Sequence, residues 1–233
     1  MRKLQLHLSE RTTKLLITVA AGLLGNLLAF LSSLLTPMNT QVSFDFSHLA
    51  TFAIAITFGP VYGALTAAIA SIYPYVNLAV LGIYGPFAGL AIILGKTMTG
   101  YFCGLLRGRM PTFLAITLSY IPESLFTLGF LHLMSTVLPA GILTWQAIIE
   151  GVIIEGWVEV IMFSFIIDTV VRRKVIETAV LMLEIFIIMF LVHKEFIQTL
   201  LVLLLITLFT LMLFELVEPI LRKKRNSPPH DVS

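Results

Sequence analysis

The chain has 233 residues, 58% of them hydrophobic and 12% charged, with a formal net charge of +2 and a mean hydropathy of +0.98. That balance is too apolar for a soluble domain and places the chain among integral membrane proteins. The basic residues punctuate apolar runs instead of forming a surface stripe, which argues against a nucleic-acid partner, and a single cysteine, Cys103, leaves no disulfide framework or Cys-based zinc site.

A bilayer core asks for roughly 20 apolar residues per helix. Arg2, Lys3, Arg11 and Lys14 flank the start of a first run, 14–35, that is long for the apolar part of a signal peptide and has no Ala-x-Ala site, so it reads as the first span. The next run, 47–73, is too long for one upright helix and carries Phe58-Gly59-Pro60 near its centre. Proline suits a first helical turn and glycine permits a break, so 47–58 and 60–73 read as two short helices, tilted or partly re-entrant. Further spans read at 82–106, 111–137, 145–171, 175–193 and 197–220, and a basic tail, 221–233, reads as disordered.

Two helices within 47–73 bring the spans to eight. Arg107, Arg109, Arg172, Arg173, Lys174 and the Arg222-Lys223-Lys224-Arg225 run then share the side of the N-terminal charges, and only Lys194 falls outside. The expectation is a multi-pass cell-membrane protein with both termini cytoplasmic. Gly and Ala are dense from 18 to 108, whereas 176–220 is mostly large apolar residues. The fold expected is therefore all-α, with a six-helix core over 1–171, an additional transmembrane hairpin over 175–220, and the tail.

Small residues four apart make a flat stripe on which helices approach closely in lipid. Three such rows occur: Ala21, Gly25 and Ala29; Gly59, Gly63 and Ala67; and Gly100, Gly104 and Gly108. Each row fits packing within the chain or docking of another membrane subunit, and spacing alone leaves both open.

The Asp45-Phe46-Ser47-His48 stretch, the FGPVYGALTAAIAS run at 58–71 and the GPFAGLAIILGKTMTGYFCGLLRGR run at 85–109 together resemble the substrate-binding S component of energy-coupling factor (ECF) vitamin transporters. The likeness covers about residues 10 to 171 and rests mainly on Phe-Gly-Pro-x-x-Gly-Ala at 58–64 and Gly-Pro-Phe-Ala-Gly at 85–89. It implies a six-helix core, a transmembrane coupling subunit with two cytoplasmic ATPases, and contact with the coupling subunit through Ala21, Gly25 and Ala29. It also implies that Asp45 and His48 lie at the outer end of the second helix, beside the loop that lids the substrate pocket. A plainer reading makes Asp45 a helix-start charge, with Ser47 an alternative cap, and His48 an interfacial polar residue. The hairpin at 175–220 departs from the family pattern.

Ionisable groups at membrane depth cost roughly 2.5 to 3.5 kcal/mol each on insertion scales, so each invites a functional reading. Lys96, Glu123 behind Pro122, and Glu150, Glu155 and Glu159 are such groups. At about 100° per residue, Gln146, Glu150 and Trp157 share one helix face, and Glu155 and Glu159 share nearly the opposite one. Glu150, Trp145, Gln146 and Trp157 are accordingly expected to face an outward-open pocket, while Lys96 pairs with Glu159 or Glu155. With Tyr84, Phe126, Phe130 and Glu123, that pocket suits a flat ligand with a cationic or hydrogen-bond-donating edge, such as a nitrogen heterocycle.

No HExxH, GxSxG or Cys–His constellation occurs, and His7, His48, His132, His193 and His230 are scattered, so neither an enzyme nor a metal site or cofactor is expected. No Walker A motif occurs, so active uptake would draw its energy from partner ATPases. The leading expectation is the capture subunit of a micronutrient importer. The rivals are a non-transporting scaffold of the rod-shape type, using its small-residue rows for docking, and a self-contained proton-coupled transporter with Glu123 as the proton site.

Overall fold

The computed structural model describes residues 9–34, 45–82, 85–137 and 156–171. These residues are helical almost throughout, with no strand among them. In chain order the helices are α1 (Glu10–Ser33), α2 (Ser47–Phe58), α3 (Pro60–Ala70), α4 (Ile72–Tyr75) running into a π-helical turn at Val76–Val80, α5 (Gly85–Leu106), α6 (Thr112–Val137) and α7 (Gly156–Val171). Four stretches among the described residues are long and apolar enough to cross a membrane: Glu10–Ser33, Pro60–Val80, Gly85–Leu106 and Thr112–Met134. The expected hairpin at 175–220 and the tail lie outside the described residues, as do Tyr84, Trp145, Gln146, Glu150 and Glu155.

The break at Gly59-Pro60 forms as its chemistry dictates. Gly59 adopts φ 101°, in the region that favours glycine, and Pro60 opens α3, where its missing N–H costs no ladder bond. Arg107, just past α5, donates from Nη1 to the Thr57 carbonyl at 2.5 Å and so satisfies one of the orphan carbonyls at the end of α2. Partial burial lowers the Arg107 pKa, and the group remains a cation.

The two halves of the broken run are unequal, which corrects the expectation of two short helices. α2 has 12 residues, about 18 Å of helix against a hydrocarbon core of roughly 30 Å. The other half does not stop at 73 but continues through α4 and the π turn, so that Pro60–Val80 is long and apolar enough to cross a membrane. Pro74 lacks the N–H of the regular ladder, and the chain passes it by widening: Leu81 N donates five residues back to the Val76 carbonyl at 2.9 Å. Asn26 of α1 bridges the disturbed turn. Its Nδ2 donates to the Ile69 carbonyl at 2.6 Å and its Oδ1 accepts from Tyr73 N at 2.7 Å, so one amide stands between the two groups that a regular helix would join directly.

α2 lies at the centre, touching α1, α3, α5 and α7. Nine of its 12 residues are buried, as suits a helix that is apolar on every side. Around it, α3 packs between α1 and α5, α5 between α3 and α6, and α7 against α6 and α2. The outward face of α1 is left to Leu16, Leu23, Leu27 and Phe30.

The small-residue rows build this arrangement from inside. Gly63 and Gly100 face each other where α3 crosses α5, and a Cβ on either would collide with the other's backbone; Gly104 packs in the same way on Gly59-Pro60. Gly25 abuts α2 and α3, with room for a Cβ only 2.7 Å from Ala70 Cβ, and its row-mates Ala21 and Ala29 are buried. The coupling-subunit contact expected of Ala21, Gly25 and Ala29 is thereby corrected: that stripe is covered by the chain's own helices, because only a flat face lets α1 come close enough for Asn26 to reach α3. Gly108 belongs to no packed row and instead turns the chain after α5 with φ 70°.

Gly63→Ala should therefore lower stability by about 1–3 kcal/mol through overpacking, read as a fall in thermal midpoint in detergent. Gly129→Ala, whose Cβ would meet nothing within 4 Å, should leave the midpoint unchanged or raise it.

Candidate functional site

The ionisable groups of the bundle converge on the start of α2. Asp45 stands two residues before the first residue of that helix, and its Oδ1 accepts from Ser47 N at 2.9 Å, placing a carboxylate where first-turn N–H groups favour negative charge. Its other oxygen, Oδ2, forms an ion pair with Lys96, which lies midway along α5. The Lys96 ammonium also donates to Ser47 Oγ at 2.6 Å. From α7, Glu159 Oε1 accepts from the backbone N–H of Asp45 at 2.5 Å. One residue, Asp45, thus binds α5 through its side chain and α7 through its backbone.

Glu123 of α6 forms the neighbouring part of the cluster. Its Oε2 meets the Thr99 hydroxyl at 2.5 Å, and its side chain lies over Gly95, where a Cβ would sit 3.0 Å from Glu123 Cγ. Glu123 feels the charges of Lys96 and Asp45, and Tyr120 feels those of both Glu123 and Glu159. Lys96, Glu123 and Glu159 are 4%, 8% and 5% exposed, so the cluster is enclosed. Among the described residues, the carboxyl groups of Asp45, Glu123 and Glu159 gather about the Lys96 ammonium, where water is not there in bulk to solvate them and each needs polar partners.

The expected partnership of Lys96 with Glu159 or Glu155 is corrected in its pairing. The ion-pair partner of Lys96 is Asp45, and Glu159 reaches the same place by accepting Asp45 N–H; Glu155 lies outside the described residues. His48, read as interfacial, is buried at 4% exposure and stacks on Phe52 at a ring separation of 5.6 Å.

The aromatic pocket expected on α6 and α7 is divided in two. Phe126 and Phe130 stack on each other at 5.7 Å and pack with Ala88, Ala91 and Leu131 between α5 and α6. Trp157 belongs to the main core and meets Tyr120 edge to face at 5.2 Å. Tyr120 in turn fits because residue 156 is glycine: a Cβ there would run into the phenol oxygen.

Asp45 is also the point at which the cluster opens. Its side chain, 15% exposed, lines a cleft with Ser32, Ser33, Tyr73, Asn77 and neighbouring apolar groups of α1 and the irregular end of α3. The cleft gives the centre of a water-sized sphere about 30 Å³ in which to move, room for a water or two. It suits a small polar group.

No family model, curated protein or solved structure matches the chain. The likeness to S components accordingly rests on the motifs at 58–64 and 85–89.

Sequence reasoning passed over Asn26 and Thr99. Asn26 carried a signal, a lone amide among apolar residues, whereas Thr99 stands close to Lys96 and Thr97, and neither Asn26 nor Thr99 ionises. Thr99→Val should cost about 1–3 kcal/mol, since it strips a buried carboxyl of its hydroxyl partner. In a Glu123→Leu background the same change should cost little, and thermal unfolding of the four proteins measures the difference.

Proposed function

We propose that this chain is the solute-capture subunit of an ECF-type importer, taking up a vitamin or similar micronutrient with a cationic or hydrogen-bond-donating edge, such as a nitrogen heterocycle. The observation that supports this reading is the enclosed cluster of Asp45, Lys96, Glu123 and Glu159, contributed by four separate parts of the chain and opening at Asp45 onto a polar cleft. Groups so costly in hydrocarbon are characteristic of solute and ion pathways.

In this reading the chain crosses the cell membrane several times with both termini cytoplasmic, following its Lys and Arg distribution. Energy comes from a transmembrane coupling subunit and two cytoplasmic ATPases. The small-residue rows at 21–29, 59–67 and 100–104 pack against the chain itself, which removes one of the two docking surfaces expected of a scaffold and equally the stripe expected to meet a coupling subunit.

Native mass spectrometry of the full chain, purified in mild detergent from its own host, should show a second mass displaced by a vitamin-sized molecule. A protein that carries no such molecule and takes none up when vitamins are titrated back contradicts the capture reading.

One observation favours a proton-coupled transporter as the second reading: the Glu123 carboxyl meets a hydroxyl at Thr99, while the ammonium is engaged by Asp45 and Ser47. Proteoliposomes containing this chain alone distinguish the two. Uptake driven by a proton gradient and lost in Glu123→Gln establishes the second reading, and uptake that requires added ATPase partners establishes the first.

A further inference from the structure

We propose that the turn between α5 and α6, where Arg107 lies over Gly59, binds the headgroup of an acidic phospholipid, with Arg107 and Arg109 on its phosphate and an acyl chain along Val61. The site is independent of what the chain carries across the membrane.

The packing of the helices brings the basic residues to one end of the bundle. Thr66 of α3 donates to the Thr18 carbonyl of α1 at 3.4 Å, and the two helices run the same way, since Gly22 meets Ile69 and Gly25 meets Ala70 further along. Arg11 and Gly59 stand equally far before Thr18 and Thr66, so they are level. Gly104 of α5 packs on Gly59-Pro60, which sets the Arg107 turn at the same end. Arg109 follows across Gly108, whose φ of 70° turns the chain. All four stretches long and apolar enough to cross a membrane begin or end here, so a bilayer that they cross has its headgroups at this level.

Arg107 is a fork held ready for an anion. A guanidinium carries five N–H donors and no acceptor, and its side chain makes one bond, from Nη1 to the Thr57 carbonyl at 2.5 Å. A Cβ on Gly59 would stand 3.2 Å from its Cζ and 3.3 Å from Nη2, so glycine at 59 lets the guanidinium rest against the backbone. Thr57 and Gly59 thus fix its position, while Nε and Nη2 keep donors for a further acceptor. Arg109 is exposed. Lys14 at this end is paired with Glu10 at 2.6 Å, whereas neither arginine has a carboxylate partner among the described residues. A positioned, planar donor fork matches phosphate, and a second cation across the turn adds charge.

The neighbouring surface selects a lipid over a soluble anion. Val61, on the first turn of α3 beside Gly59, is 69% exposed, and Leu114 at the start of α6 is 42% exposed. A free anion leaves such side chains uncovered. A phospholipid joins a phosphate to hydrocarbon at the same level, and basic residues at the ends of membrane-crossing helices draw acidic headgroups most strongly.

Native mass spectrometry of the full chain in mild detergent, titrated with phosphatidylglycerol or with phosphatidylcholine of the same acyl chains, tests the site. The first phosphatidylglycerol should bind at least about tenfold tighter, as two basic residues at roughly fivefold each allow. Arg109→Gln should lower that preference about fivefold, and Arg107→Gln should lower it at least as much. Lys3→Gln, which removes the same charge elsewhere, should change it less than either. If Arg107→Gln fails to fold because α2 loses its cap, Arg109→Gln, at an exposed side chain, carries the test. Equal affinity for the two lipids, an unchanged preference in the arginine variants, an equal loss in Lys3→Gln, or displacement of the lipid by inorganic phosphate at the lipid's own concentration overturns the proposal.

Discussion

The buried ammonium of Lys96 is the constraint around which the bundle is arranged. A lysine midway along an apolar helix must find acceptors, and α5 alone provides none within reach. Asp45 and Ser47 meet that need, which fixes the start of α2 beside the middle of α5. The length of α2 follows from the other end. Gly59 and Pro60 must turn the chain where Arg107 caps the Thr57 carbonyl, and only 12 residues separate the two anchors.

The glycine crossing and the ion pair depend on each other through the i, i+4 geometry of α5. Lys96, Gly100 and Gly104 lie on one stripe of that helix, with Gly100 and Gly104 taking α3 and its entry turn into close contact. Close approach there brings α2, which is tied to α3 by Gly59, near enough for Asp45 to be reached by Lys96. The adjacent stripe, Gly95 and Thr99, receives Glu123 from α6. Two neighbouring stripes of one helix thus hold the cation and a carboxyl group a short distance apart, and α7 adds Glu159 from the far side of α2.

Much of this was legible in the sequence wherever a property belongs to a single helix or turn. The Gly59-Pro60 break, the flat small-residue stripes, and the exceptional standing of Lys96, Glu123 and Glu159 all follow from local chemistry. Partnerships were not legible, because periodicity fixes angles around one helix and says nothing of depth or rotation between two. Lys96 therefore had several eligible carboxylates, and the one it meets lies before a helix instead of within one. Trp157 and Glu159 show the same limit: they point to opposite flanks of α7, yet both flanks are inside, one against Tyr120 of α6 and the other against the start of α2. The continuation of α3 past Pro74 was hidden for a different reason, since it relies on an amide from α1, 43 residues away from Ile69.

The most direct test of this account is a double-mutant cycle on Asp45 and Lys96, using Asp45→Asn, Lys96→Met and both together, with unfolding free energies measured in detergent. Lys96→Met alone should cost about 3–5 kcal/mol, because it leaves a carboxylate without its ion-pair partner in a largely enclosed site. The double variant should be more stable than the sum of the single losses predicts, with a coupling of about 1–3 kcal/mol. Strictly additive losses would mean that Lys96 and Asp45 are not partners, and the arrangement of α2 against α5 would need another cause.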